Sequence, residues 1–457
     1  MTAPSEPRFF TVLGLRDVVL MNIVAVVSLR WIARGARTGP PSVTLWILAW
    51  IAFFVPLALA VSALARKYPE QGGVYAWVRR AFGAGHGFIC GWCLWVNNLF
   101  YFPSLLLFGA ANFAAIGGEG WRAVGGSRWY SVAFVLAGIW IAAGINIIGL
   151  RWGKWLQNAG SLGVWIPAGI LIGCGALALT RFGSATTFTA EAMVPRGDVL
   201  ETVALWSAMC FAFSGFEITS LVGKEIHRPE TTIPRGIFIA GVVTTIVYVA
   251  GSVSVLVAVP VASLQELSGI TDAVQMVGGR VGLTGLGVLT GALLALNAFA
   301  GTASWTAGAA RIPFAAGVDA AMPRAFARLH PRYRTPHVAL IVQSLAASAI
   351  FLGSVFFSVA GRATSIQEAY DILVNLTILI YFLPYLYLFA AQLRLLPDAP
   401  RWAAMVGFVA TAISLALTFV PPPGASALNY EVNLIAQAAV MLGIGVGLYV
   451  YSRRASR

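Results

Sequence analysis

The chain has 457 residues, 59% of them hydrophobic and only 10% charged, where a soluble domain carries about 25% charge. Mean hydropathy is +0.81, and 30 Lys and Arg against 17 Asp and Glu leave a net charge of +13. Long continuous apolar runs exclude a soluble multidomain enzyme, a disordered chain and a disulfide scaffold, and their lack of alternation excludes a β-barrel. The basic excess is the charge that holds the cytoplasmic loops of a polytopic helical membrane protein, not a nucleic-acid footprint.

Apolar runs and their breakers predict twelve spans. A polar tail over 1–10 with no cleavable signal peptide passes into the first span, 11–33. Its second half, Val26-Val27-Ser28-Leu29-Arg30-Trp31, carries a serine and an arginine where a plain span would be apolar. Arginine at depth costs at least about 2.5 kcal/mol on insertion scales, so Arg30 must snorkel to the outer surface, pair, or face water in a vestibule. The second span is 42–65, and the amphipathic stretch Val74–Phe82 reads as an interfacial segment before the third span, 86–116. Within the third, Cys90-Gly91-Trp92-Cys93 has a redox spacing, but in an apolar helical run it reads as small packing residues. Spans four and five are 129–149 and 154–180.

The sixth span, 199–222, contains Cys210-Phe211-Ala212-Phe213-Ser214-Gly215-Phe216-Glu217. Glycine and serine weaken a helix, and a break at membrane depth is tolerated only beside a cavity or under protein cover. Glu217 stands out as the one acid placed firmly inside a span, and an intramembrane acid is a functional residue by default, the alternative being a carboxylate that ties its span to a neighbouring helix. A charged, proline-rich cytoplasmic loop, Gly223 to Arg235, follows. Spans seven to twelve are 235–259, 283–311, 336–357, 367–391, 402–420 and 429–452, ending in a short tail, 453–457. Trp305 lies well inside the eighth span, away from the interfacial aromatic belts.

With the N-terminus inside, most of the 30 Lys and Arg fall on cytoplasmic segments, which places both termini in the cytoplasm of a cell-membrane protein. The two interrupted spans, first and sixth, lie five spans apart. Broken helices at matching positions of two halves point to a transport site between inverted repeats, here 11–180 and 199–391, with 402–452 added behind them.

Three segments resemble the amino acid–polyamine–organocation (APC) transporter superfamily: Glu70-Gln71-Gly72-Gly73-Val74-Tyr75-Ala76-Trp77-Val78; Phe213-Ser214-Gly215-Phe216-Glu217 with Glu225, Pro229 and Ile233-Pro234-Arg235; and Arg311, Asp319, Met322-Pro323, Phe326 and Thr335-Pro336. The resemblance implies an all-α LeuT-type fold with 5+5 inverted repeats and two added C-terminal helices, and a substrate at the first and sixth breaks. Half-helix N-termini there would offer free N–H groups to a carboxylate. Within the superfamily the pattern is nearest to glutamate/GABA and arginine/agmatine antiporters. By their pattern the aromatic of the sixth span is Phe211, the tryptophan of the eighth is Trp305, and an asparagine of the third is Asn97 or Asn98. Only Ser28 survives of the glycine-rich first break found in many members. A lysine that replaces sodium in some proton-coupled members falls at Val164, which speaks against that mechanism, while Thr302, Ser304 and Thr306 leave sodium open.

The expected substrate-binding set is thus Val27, Ser28, Arg30, Asn97, Phe211, Phe213, Ser214, Gly215 and Trp305, with Glu217 as the proton-coupling or gating residue. The expected activity is secondary active transport of amino acids or related amines by alternating access, as proton symport or exchange. Polyamines or other organic cations are an alternative substrate class. The expected partners are a small molecule, a proton and the lipid bilayer, with no metal and no cofactor. A membrane enzyme is the rival class. His86, His227, His330 and His337 lie at helix ends or in loops and assemble no catalytic set. A transporter-like sensor is a further class, and a channel would need polar pore rings that the spans lack. Glu217 alone would favour a cationic substrate, and an inward Arg30 an anionic one.

Overall fold

The computed structural model describes residues 13–68, 73–195, 199–217, 219, 226–313, 322–356, 365–421 and 427–455. Among them the chain is all-helical, with one isolated parallel bridge pairing Leu13 and Ile226. In chain order the helices are α1 (Leu15–Val26), α2 (Arg30–Ala36), α3 (Pro41–Lys67), α4 (Gly73–Phe82), α5 (Ala84–Ala115), α6 (Gly118–Gly125), α7 (Arg128–Ile148), α8 (Leu150–Phe182), α9 (Val199–Ala204) and α10 (Trp206–Ala212). They continue with α11 (Pro229–Ala258), α12 (Gly269–Arg280), α13 (Gly285–Ala309), α14 (His337–Phe356), α15 (Ile366–Leu395), α16 (Arg401–Leu417) and α17 (Ala427–Ala455). Nine of the described helices are long and apolar enough to cross a membrane, and the bent pair α1–α2 makes a tenth.

Local chemistry explains where the helices bend. In α3, Pro56 has no N–H for the carbonyl four residues back, and the ladder slips by one residue over Trp50–Phe54, so that the Val55 N–H reaches Trp50 O. Pro384 in α15 and Pro103 in α5 likewise each release a carbonyl one turn earlier. The start of α15 is fixed by a capping box, with the Glu368 N–H donating to Ser365 Oγ at 3.1 Å and the Ser365 N–H to Glu368 Oε2 at 2.7 Å.

Small residues let the helices meet closely, as membrane helices do. A Cβ on Gly109 of α5 would lie 2.7 Å from Ala298 of α13, and one on Gly163 of α8 would lie 2.5 Å from the Leu293 carbonyl of α13. α11 is notched the same way for both halves of the first broken span: Gly236 faces Val18 of α1 and Gly251 faces Ile32 of α2. On the loop side, the His227 N–H donates to Leu13 O at 2.9 Å, tying the start of α1 to the motif loop, and Thr335 Oγ1 donates to Ile147 O at 2.8 Å.

Ten of the expected spans coincide with the nine long helices and the bent pair, the sixth and eleventh meet shorter apolar helices, Thr202–Ala212 and α16, and the Val74–Phe82 stretch lies on α4. Two helices were not foreseen. α6 and α12 occupy connections expected to be plain polar loops, and α12 earns its helix by burying Ile270, Ala273, Val274 and Val277, spaced for one helical face. Free, buried Cys90 and Cys93 fit the packing reading of that pair. Residues 1–10, Glu70, Gln71, Gly72, Lys224, Glu225, Asp319, the last part of the sixth span (220–222) and 456–457 lie outside the described residues.

Candidate substrate site at the paired helix breaks

The first break is real and sharp. α1 ends at Val26, Val27 turns extended (φ −68°, ψ 114°), and α2 restarts at Arg30 with its axis turned by 57°. Two consecutive β-branched valines followed by serine make this the weakest point of the span for a helix. The turn is closed by the Trp31 N–H donating to Ser28 O at 3.2 Å.

Arg30 does not snorkel: it is fully buried. Its guanidinium lies over two rings, 4.2 Å from the centroid of Trp31 and 4.5 Å from that of Tyr101 on α5. Nη1 donates to Ser104 Oγ at 3.0 Å, and Ser104 Oγ in turn donates to Tyr101 O at 2.9 Å. The remaining groups, Nε and Nη2, find no partner among the described residues, and Arg30 makes no ion pair there. Aromatic faces stabilise a desolvated cation by up to about 2 kcal/mol, less than the several kcal/mol that burying it costs.

The second break follows α10. The helix stops at Ala212, and Gly215 takes φ +104°, a left-handed backbone that glycine adopts without the penalty of a Cβ. This turn folds Glu217 back on itself. The Gly215 N–H donates to Glu217 Oε2 at 3.1 Å and to Tyr385 Oη at 3.0 Å, while Tyr381 donates to Oε1 at 2.6 Å and Tyr385 to Oε2 at 2.7 Å. Both tyrosines come from α15, one turn apart, so Glu217 links the break to that helix.

A tyrosine fastens the two breaks together. Tyr248 of α11 is fully buried, accepts from the Ser28 N–H at 3.3 Å, and directs its hydroxyl at Val26 O (3.1 Å) and Ala212 O (3.2 Å). Its ring stacks on Trp46 at 4.6 Å, and Phe213 packs on both.

Around Arg30 the aromatic wall continues. Trp31 meets Phe211 edge-on at 5.3 Å, Phe211 meets Tyr381 at 5.4 Å, and Tyr101 meets Trp305 of α13 at 6.0 Å. One turn beyond Arg30, a second arginine is treated differently. Arg34 Nη1 donates to Glu266 Oε1 at 2.5 Å and Asp371 Oδ1 at 2.8 Å, and Nη2 to Asn375 Oδ1 at 3.3 Å. Arg37 holds the other oxygen of Glu266. Asn375 donates to Tyr430, whose hydroxyl donates to Thr418 O at 2.9 Å. Burial pushes the Glu266 carboxyl up, and Arg34 and Arg37 more than reverse this, leaving it below its ordinary value.

The structure thus brings Arg30, Phe211 and Trp305 to one aromatic-walled region, with Gly215 and Glu217 across Phe211 and Tyr381. Ser28 and Val27 form the first break. Ser214 turns its hydroxyl onto Phe211 O at 2.6 Å. Phe213, expected at the substrate, instead faces Trp46, Phe54 and Tyr248, because the tight turn after Ala212 points it toward α3 and α11. Asn97 is buried one turn before Tyr101, and its Oδ1 has no partner among the described residues, while Asn98 bonds back to Leu94 O. Glu217 is not the only acid at depth: Asp371 is buried in α15. Sequence reasoning missed Tyr101, Ser104, Tyr248, Tyr381 and Tyr385. Their signal was a hydroxyl at mid-span depth, which reads as ordinary packing until its partner is known.

A profile of the amino acid permease family matches residues 13–446. The chain is similar to an uncharacterized transporter of Legionella pneumophila, with 26% identity over 427 residues and 90% of each chain covered. It is also similar to a probable agmatine/putrescine antiporter of Lactococcus lactis, with 25% identity over 85% of this chain and 81% of that one. A serine/threonine exchanger of Bacillus subtilis is 25% identical over 65% of each chain. The expected motifs, the two breaks and this match across nearly the whole length agree: the chain belongs to the amino acid permease family of the APC superfamily.

Proposed function

We propose that the protein is a secondary active transporter of amino acids or related amines, working by alternating access with the substrate between the two helix breaks. The observation that carries the reading is the pair of breaks itself, α1–α2 and α10–Glu217, fastened by Tyr248 and flanked by a buried cation and a buried acid. Membrane proteins keep irregular backbone at depth only where it lines a site or is covered by protein. The nine long helices, the bent pair and the two shorter apolar helices, α16 and Thr202–Ala212, support a twelve-span LeuT-type reading with both termini cytoplasmic.

Glu217 is the coupling residue in this reading. It is the acid that joins the second break to α15, so a change in its protonation would alter three hydrogen bonds that hold the break. Its carboxylate would accept from both tyrosines, whereas the protonated form adds a donor that would turn one tyrosine hydroxyl from donor to acceptor.

Counterflow is the test. Purified protein in liposomes preloaded with an amino acid mixture should take up labelled external substrate faster than empty liposomes do. Equal uptake into loaded and empty vesicles would contradict a carrier.

A further inference from the structure

Two arginines one turn apart on α2 are buried, and among the described residues only one of them meets carboxylates. Arg34 has two carboxylates and an amide oxygen. Arg30 is the more buried of the two, has one serine hydroxyl, and keeps Nε and Nη2 without a partner among the described residues. Nε and an Nη on one guanidinium form the edge that grips a carboxylate through two parallel bonds. Trp31 and Tyr101 each place a ring within 4.5 Å of the guanidinium carbon, so aromatic faces and not carboxylates surround the plane, and the unfilled N–H groups lie on its Nε–Nη2 edge.

The other buried charged group of the region is already engaged at both oxygens. Both oxygens of Glu217 already accept tyrosine hydroxyls, and one also takes the Gly215 N–H. The charged group with unfilled hydrogen-bonding positions among the described residues of the aromatic-walled region is therefore Arg30, through Nε and Nη2.

We propose that Arg30 docks a carboxylate of the transported substrate, so that the protein takes carboxylate-bearing amino acids and rejects the amines left when that carboxylate is removed. The inference rests on the transport reading above. It separates this chain from what the name of its agmatine/putrescine relative says of that protein.

The test compares matched compounds on the purified full-length protein, by ligand-induced thermal stabilisation and by counterflow: L-arginine with agmatine, L-ornithine with putrescine, and L-glutamate with its dimethyl ester. In the wild type at least one acid should bind about tenfold or more tightly than its partner lacking the carboxylate charge. In Arg30→Gln that ratio should collapse toward one, and Arg30→Lys, which keeps the charge but not the fork, should recover part of it. Should Arg30→Gln fail to fold, the wild-type comparison decides alone: amines or the ester binding as tightly as the acids overturns the proposal. So does equal stabilisation by sodium chloride, or an Arg30→Gln variant that still transports with an unchanged ratio. Carboxylate-selective stabilisation without counterflow would uphold the Arg30 assignment and defeat the transport reading instead.

Discussion

Tyr248 shows how much one hydroxyl can hold. It closes on three backbone groups from two separate helix ends, and each would otherwise be a buried polar group without a partner. Tyr248→Phe keeps the stacking on Trp46 and removes only those bonds. The expected cost is about 1–3 kcal/mol, read as a fall of several degrees in the melting temperature of purified protein. An unchanged melting temperature would mean that water or a shifted backbone serves the three groups equally well. At Glu217 the decisive replacement is Gln, which keeps size and hydrogen bonding while removing titration. Uptake by Glu217→Gln should lose the wild-type dependence on external pH, and a mutant with the same pH profile would reduce Glu217 to a brace for the break. Gly215→Ala separates backbone from space. Its added Cβ would meet Val26 Cγ2 at an ordinary 3.4 Å, so the expected loss of about 1 kcal/mol or more comes from the positive φ alone.

The broken elements were legible because their causes are local. Val26-Val27-Ser28 and Ser214-Gly215 are weak helix sequences wherever they occur, and the structure breaks at both. Phe211 and Trp305 were placed by resemblance, whereas Tyr381 and Tyr385 become site residues only because α15 lies against the second break, 164 and 168 residues after Glu217 in the chain. The Arg34 cluster was invisible for the same reason: Glu266 is 232 residues away and Asp371 is 337. Removing one side of a buried ion pair strands the other at a cost of about 3–5 kcal/mol. Arg34→Leu should therefore destabilise strongly, because it leaves Asp371 without its cation while Glu266 keeps Arg37. The double replacement Arg34→Leu with Asp371→Leu should recover most of that loss. No recovery would show that the cluster does more than neutralise charge. Glu266 adds a pH dependence. Its folded-state carboxyl lies below the ordinary value near about 4.3, so its contribution is present above that pH and fades as the pH falls through the folded value. Glu266→Gln should flatten the acid side of the melting-temperature profile.

At the scale of the whole chain, composition was enough for a polytopic helical protein, and the family match across residues 13–446 agrees with the motif resemblance. The close contacts of α13 with α5 and α8 through Gly109 and Gly163 make a tightly fitted surround, while the region between the breaks is built from aromatic rings. In this structure the centre is closed: Arg30, Trp31, Phe211 and Tyr381 are all buried. The central claim is that substrate sits between the breaks, against Phe211 and Trp305. Counterflow kinetics of Phe211→Ala and Trp305→Ala, at membrane protein levels matched to wild type, test it most directly. The expected result is a rise in KM of about tenfold or more in both variants, because each loses an aromatic wall of the site. Unchanged KM in both, with transport intact, would contradict it and return the two rings to the packing of the bundle.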